Sequence, residues 1–208
     1  MKLFLSAGGS QEDSKELDKE FAKEIKGKLL YIPIAMEEER HSYPDCFKWL
    51  KSCFNPLNIY DIEMWTNLKN KDLKKYSAIY IGGGNTFKLL KELKESGFDK
   101  ELLKFIKEGK PVYGGSAGAL ILGKNILTSH DENKVKLKDL NGLNLINENS
   151  IWAHYSNKEN EKIFNYVKTN NINVVAIPEG SGIYFNGKIR VIGKDSYLFN
   201  KQGKTKIT

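Results

Sequence analysis

Two rhythms of apolar residues take turns along this chain. Met1 to Ala7 is a short apolar run that ends in Gly8-Gly9-Ser10, and Leu17, Phe21 and Ile25 then recur at helical spacing, so a strand, a turn and an amphipathic helix are expected. The run "KLLYIPIA" is a second strand, followed by a helix from Tyr43 to Phe54 that starts near Pro44. "NIYDIEMW" alternates as a third strand and "SAIYIGGGN" is a fourth that stops at a glycine cluster. Asn85 can cap the next helix, which carries Phe87, Leu89, Leu90 and Leu93 and ends at "ESGF". A helix from Leu102 to Glu108, the strand "PVYGG" and a helix from Ala117 to Leu122 complete this part.

Strands that alternate with helices at this spacing call for an α/β fold: a mostly parallel central sheet with helices on both faces. After Gly123 the pattern loosens into a polar, turn-rich stretch, and "IWAHYS" leads into a helix with Ile163, Phe164 and Val167. "NVVAIPEGSGIYFNGKIRVIGKDSYLFN" is nearly all strand, broken by turns at "EGSG", "NGK" and "GKD", which predicts a C-terminal β meander at the end of the sheet. The chain reads as a single domain over 1–200, with 201–208 as a solvated tail.

Composition narrows the classes. The 208 residues are 40% hydrophobic and 28% charged, ordinary for a globular protein, and no apolar run is long enough to cross a bilayer. The formal charge of +7 comes from lysines that alternate with Glu and Asp, the pattern of solvated helix faces rather than of a nucleic-acid stripe. Met1 leads straight into the first strand with no secretory leader, so a cytoplasmic location is expected, without nucleic-acid or membrane partners. Cys46 and Cys53 would share one helix face two turns apart, too far for a bridge and without a second ligand pair for zinc, so buried thiols are expected.

The chemistry concentrates at Gly114-Gly115-Ser116-Ala117-Gly118, a Gly-x-Ser-x-Gly pattern between a strand and a helix. A nucleophile on so sharp a turn needs small neighbours so that both the strained backbone and a substrate fit, although a plain tight turn has the same composition. Of three histidines, His41 lies in a charged stretch and His130 in a polar loop, whereas His154 ends an apolar run as either a buried structural group or a placed base. Glu179 follows the apolar strand Val174 to Ile177, at the strand end where open α/β sheets build their pockets; Asp131 is the competing carboxylate, able to position a loop or a substrate amine. The order Ser116, His154, Glu179 is not the nucleophile, acid, histidine order of α/β-hydrolases. Gly82-Gly83-Gly84-Asn85 and "SAGGSQE" fit phosphate-loop patterns only weakly; alternatively the Gly84 amide faces the elbow and forms an oxyanion site with that of Ala117.

The segments "IGGGNTFKLLKE", "GGSAGA" and "IPEGSGIYFNGKIRVIG", in this order and spacing, closely resemble the peptidase E family of serine peptidases, which includes aspartyl dipeptidases and cyanophycinases. The resemblance runs to about Phe199. It implies a fold related to class I glutamine amidotransferases and a triad with Ser116 as nucleophile, His154 as base and Glu179 as its partner. Gly84 and Ala117 match the oxyanion-hole amides, while Asp131 matches an acidic position that accompanies the active site, and Asn85 is a candidate supporting residue beside it. It further implies a serine exopeptidase of short peptides with no metal or organic cofactor; the chain is expected to act as a monomer or small homo-oligomer. One departure concerns specificity: "HYSNKENEKIF" is short and holds no arginine, and Lys158 or Lys162 would be a point charge without a bidentate fork, so strict preference for N-terminal aspartate does not carry over. Two other readings stay open at this level, a non-catalytic ligand-binding or interaction protein that keeps the elbow as structure, and a cyanophycinase-like hydrolase.

Overall fold

Residues 1–37 and 41–207 are described by the structure, a computed structural model. Five parallel strands form the centre of a seven-stranded sheet: β1 (Lys2–Ser6), β2 (Lys28–Ile32), β3 (Ile62–Met64), β4 (Tyr76–Ile81) and β5 (Pro111–Gly115), in the order β3-β2-β4-β5-β1. Beyond β1 the hairpin β8 (Ser181–Phe185) and β9 (Ile189–Gly193) adds two antiparallel strands.

Buried strands must be apolar on both sides, and alternate residues here feed two different cores. Leu3, Leu5, Ile79, Ile81 and Val112 pack with α3 (Thr86–Glu95), α4 (Phe98–Lys107) and α5 (Ala117–Leu122). Their neighbours Phe4, Ala78, Tyr80 and Tyr113 pack with α1 (Gln11–Glu24) and α2 (Tyr43–Phe54) on the opposite face. The helix starts are chemically marked. Ser10 and Asp13 form a reciprocal capping box on α1, Ser42 caps α2 just ahead of Pro44, and Asn85 caps α3. The acidic and basic residues of α1 pair along its outer face, as in Lys15–Glu12 and Lys19–Glu16. Cys46 and Cys53 are both buried and unbridged.

Several expectations are corrected. The helix read as Leu102 to Glu108 begins earlier, at Phe98, because Gly97 adopts a left-handed φ of 72° that turns the chain sharply out of α3. The third strand is only Ile62–Met64, since Asn58 is left-handed (φ 63°) and delays the extended run. The C-terminal meander is divided between two sheets: β7 (Val174–Ala176) and β10 (Tyr197–Asn200) belong to a separate four-stranded sheet, β11-β10-β7-β6, with β6 spanning Ser150–Trp152. The expected tail also contributes, because Gly203–Lys206 forms β11 against β10; Thr208 lies outside the described residues. This second sheet holds its own cluster of Trp152, Tyr155, Val174, Ala176 and Phe199 with Ile163, Tyr166 and Val167 of α6 (Asn160–Asn170).

On the α1 side of the main sheet one acid is buried. Asp18 accepts from the Ser14 hydroxyl at 2.8 Å through Oδ2, while Oδ1 has no partner among the described residues. Burial pushes its pKa up to about 6.

Candidate active site

Strand β5 runs straight into α5 through Ser116, and the glycines around it answer to steric demands. A Cβ at Gly114 would stand 2.4 Å from the Gly118 carbonyl oxygen, and one at Gly118 would stand 2.4 Å from that of Ile81, so the elbow closes only with both positions bare. Ser116 itself has φ 49° and ψ −108°, a sparsely populated conformation that persists because its surroundings hold it. The Ser116 amide donates to the Ser6 carbonyl at 3.0 Å, and its carbonyl receives the Ala119 and Leu120 amides. The backbone is therefore pinned on both sides while the side chain points outward.

The second sheet supplies two further groups. Strand β6 pairs in parallel with β7, and beyond their ends the Ile177 amide donates to the Trp152 carbonyl (2.8 Å) and the Tyr155 amide to the Ile177 carbonyl (3.1 Å). This lacing places His154, at a left-handed φ of 55°, beside Glu179. The His154 Nδ1 lies 2.8 Å from Glu179 Oε1, and Nε2 lies 3.0 Å from Ser116 Oγ. A carboxylate only accepts, so Nδ1–H donates to Glu179 and the Nε2 lone pair faces the Ser116 hydroxyl. The His154 and Glu179 side chains retain 45% and 52% of their exposure, which excludes the reading of His154 as a buried structural histidine.

Among the described residues the Gly84 and Ala117 amides have no hydrogen-bond acceptor, as expected of chain entering a helix and of a bare loop. Of the loop glycines it is Gly83 whose missing side chain faces Ser116, with a Cβ there 3.2 Å from the serine Cβ; Gly84, at φ 133°, is pressed against the Ala35 carbonyl. Asn85 and Asp131 act together. The Asn85 side chain accepts from the Lys88 amide and donates to the Glu132 carbonyl at 3.0 Å, while Asp131 Oδ2 accepts from the Thr86 amide (2.8 Å), the Thr86 hydroxyl (2.7 Å) and the Ser129 hydroxyl (2.9 Å). Asp131 thus fastens its loop to the start of α3 and, among the described residues, makes no hydrogen bond to His154.

A cavity of about 580 Å³ opens in front of Ser116, within the range of small-ligand sites. Its wall includes residues that sequence reasoning did not single out. Gly8 is one: a Cβ there would come within 2.9 Å of His154 Cε1 and 3.2 Å of the Ser116 Cβ, so this glycine is what lets the imidazole reach the serine. The glycine pair after β1 was its only sequence signal. Tyr31, Tyr80, Trp49 and Met36 also line the cavity, and the aromatic character of β2, β4 and α2 carried no mark that separated them from core. His130 lines it too, with its ring edge against Trp152 and Nε2 3.6 Å from Glu159 Oε1. Lys158 and Lys162 are exposed and are not among the lining residues. Among the described residues no cluster of three or more His, Cys, Asp or Glu side chains could hold a metal ion, and no helix is long and apolar enough to cross a membrane.

Known proteins share this arrangement of elements. A solved structure from Listeria monocytogenes EGD-e, of a protein assigned to peptidase E, superposes with a TM-score of 0.72 at 30% identity and covers 93% of this chain and 97% of its own. A peptidase from an acI-B1 Actinobacterium superposes with a TM-score of 0.73 at 18% identity, covering 100% and 93% of the two chains, which bears on the fold alone. Among sequences, Peptidase E of Pasteurella multocida (strain Pm70) is 30% identical over 199 residues, spanning 88% of this chain and 82% of the relative. An uncharacterized peptidase of Listeria innocua is 36% identical over 172 residues, spanning 77% and 79%. The family model for peptidase family S51 matches residues 3–192, so the chain belongs to that family of serine-type peptidases.

Proposed function

We propose that this protein is an exopeptidase of short peptides that works through Ser116, His154 and Glu179 and an acyl-enzyme. The observation that carries the reading is the continuous line of contacts from Ser116 Oγ to His154 Nε2 (3.0 Å) and from Nδ1 to Glu179 Oε1 (2.8 Å) in front of an open cavity. The Ser116 hydroxyl attacks the scissile carbonyl while His154 Nε2 takes its proton. Glu179 holds the imidazole in the Nδ1–H form and stabilises it once it is charged.

Negative charge develops on the carbonyl oxygen as the tetrahedral intermediate forms, and the unengaged amides of Gly84 and Ala117 are the donors assigned to it. Collapse of the intermediate breaks the C–N bond, and His154 returns the proton to the departing amine. Water, deprotonated by His154 in turn, attacks the ester carbonyl and releases the acid product and the free serine. A cavity of about 580 Å³ accommodates a few residues, which favours a dipeptidase-like role over cleavage within folded chains. The site is assigned no metal and no organic cofactor, since every proton and charge has a side-chain or backbone partner.

Replacing Ser116 with alanine is the direct test. Hydrolysis of a dipeptide panel should fall by at least about 10⁴-fold while the circular dichroism spectrum stays unchanged. Intact-mass analysis with a fluorophosphonate should label the natural protein at Ser116 and not the variant. Retained turnover in the purified variant overturns the proposal.

A further inference from the structure

The cavity in front of Ser116 straddles the carboxyl edge of the main sheet, so its two ends belong to the two faces of that sheet. On the α5 side stand His154, Ala153, Leu120 and the segment 128–131. On the α2 side the lining is of another kind: Tyr31, Tyr80 and Cys46 form a floor that is continuous with the α1–α2 core, and Trp49 and Met36 form a wall.

This aromatic end adjoins the nucleophile directly. A Cβ at Gly82 would meet the Tyr31 hydroxyl at 3.2 Å, and a Cβ at Gly115, the residue before Ser116, would meet the Tyr80 hydroxyl at 3.3 Å. The floor is rigid, because Tyr80 stacks on Tyr113 with centroids 4.3 Å apart and takes Tyr31 and Phe54 edge-on at 5.7 and 5.8 Å. Trp49 sets its ring 6.5 Å from that of Tyr80 and yet remains 37% exposed, so apolar surface next to the serine is left for something to cover. No lysine or arginine is among the described residues that line the cavity, and the rim on this side carries the carboxylate of Asp45 beside the exposed His41. Among the described residues an acidic side chain entering here would meet the Asp45 carboxylate, while the Lys88 ammonium behind the wall is engaged by the Met36 carbonyl at 2.8 Å. Lys158 and Lys162, the cations nearest in sequence to His154, are elsewhere.

The chemistry of the site decides which part of a substrate occupies that end. His154 hands its proton to the departing amine, so the leaving residue lies on the His154 side and the side chain of the acyl residue lies opposite. We infer that the residue whose carbonyl Ser116 attacks carries an aromatic or long apolar side chain, which packs on the exposed face of Trp49 and on Met36, above the buried Tyr31–Tyr80 floor. This rests on the peptidase reading above and names its substrate class.

The test compares dipeptides X-Leu, with X as Phe, Tyr, Met, Ala or Asp, as substrates of the natural protein, Trp49→Ala and Trp49→Phe, with fluorophosphonate labelling of Ser116 run in parallel. The kcat/KM for Phe-Leu or Tyr-Leu should exceed that for Asp-Leu by at least about 100-fold, and Trp49→Ala should reduce the Phe-Leu to Ala-Leu ratio by about 10-fold or more. Trp49→Phe should restore most of that ratio. The inference is overturned if Asp-Leu is the preferred substrate, or if Trp49→Ala lowers all substrates in equal proportion. It is likewise overturned if Ser116 labels readily but no aromatic or apolar member is turned over. Failure of labelling together with failure of all turnover overturns the peptidase reading itself, which keeps the two outcomes apart.

Discussion

The Ser116 side of the site and the imidazole side are built on opposite plans. Around Ser116 everything is close: φ is held at 49°, and a Cβ at Gly114 or Gly118 would stand 2.4 Å from a backbone carbonyl oxygen. Around His154 and Glu179 the chain is open, with both side chains about half exposed and their placement owed to hydrogen bonds between the ends of β6 and β7. Ser116 is positioned by steric exclusion around bare glycines and by its amide's hydrogen bond to the Ser6 carbonyl. Its partners are positioned by a ladder that joins segments far apart in sequence. Crowding the glycines of the first side should therefore appear in stability, and removing the side chains of the second in turnover.

Four substitutions can break or sharpen that contrast. His154→Ala is expected to have the largest effect, a loss of about 10⁴-fold in kcat, with the melting temperature unchanged because the side chain is exposed. Glu179→Gln should keep the ring in place but weaken support for its charged form, lowering kcat by about 10² to 10³-fold in steady-state assays with little change in KM. A large stability loss in either variant would contradict the plan. Gly118→Ala should do the reverse: its Cβ meets the Ile81 carbonyl at 2.4 Å, and urea unfolding should show about 3 kcal/mol of destabilisation.

The smallest effect concerns the acid buried on α1. Asp18 has its folded pKa raised from 3.8 to about 6, so the folded state holds the proton more tightly than the unfolded chain. Its stability contribution is complete below the unfolded value and is lost as pH rises through 6, leaving a penalty of about 2 to 3 kcal/mol at neutral pH. Asp18→Asn keeps the Ser14 contact and should raise stability by about 2 kcal/mol at pH 7, with little gain at pH 4, as read from paired denaturation curves. An equal gain at both pH values would mean that burial of the charge is not the cause.

How much of this was legible in the chain differs by region for the same reason. The strand, elbow and helix around Ser116 are local, and the pattern Gly-x-Ser-x-Gly between "PVY" and "ALIL" carries its own steric logic. Caps such as Ser10 with Asp13, or Asn85 at α3, are likewise contained within one turn. The C-terminal strands were recognisable as strands from their composition, yet nothing in "NVVAIPEGSGIYF" states that β7 leaves for a second sheet while β8 joins β1. Asp131 was recognisable as a carboxylate worth notice, but its contact with Thr86 spans 45 residues and only the folded chain brings them together.

By itself the sequence determined the alternation of strands and helices, the crowded serine turn, and a short set of candidates in which His154 and Glu179 stood out. Periodicity and steric minimum size act over a few residues, and those properties are written locally. Only the tertiary structure decided that β6 and β7 lace together, that Gly8 clears a path for the imidazole, that Gly203–Lys206 forms β11, and that Trp49 stays exposed along the cavity that Ser116 lines, above the buried Tyr31 and Tyr80. Those outcomes depend on which surfaces meet across the sheet, a matter of long-range packing that no short window of residues encodes.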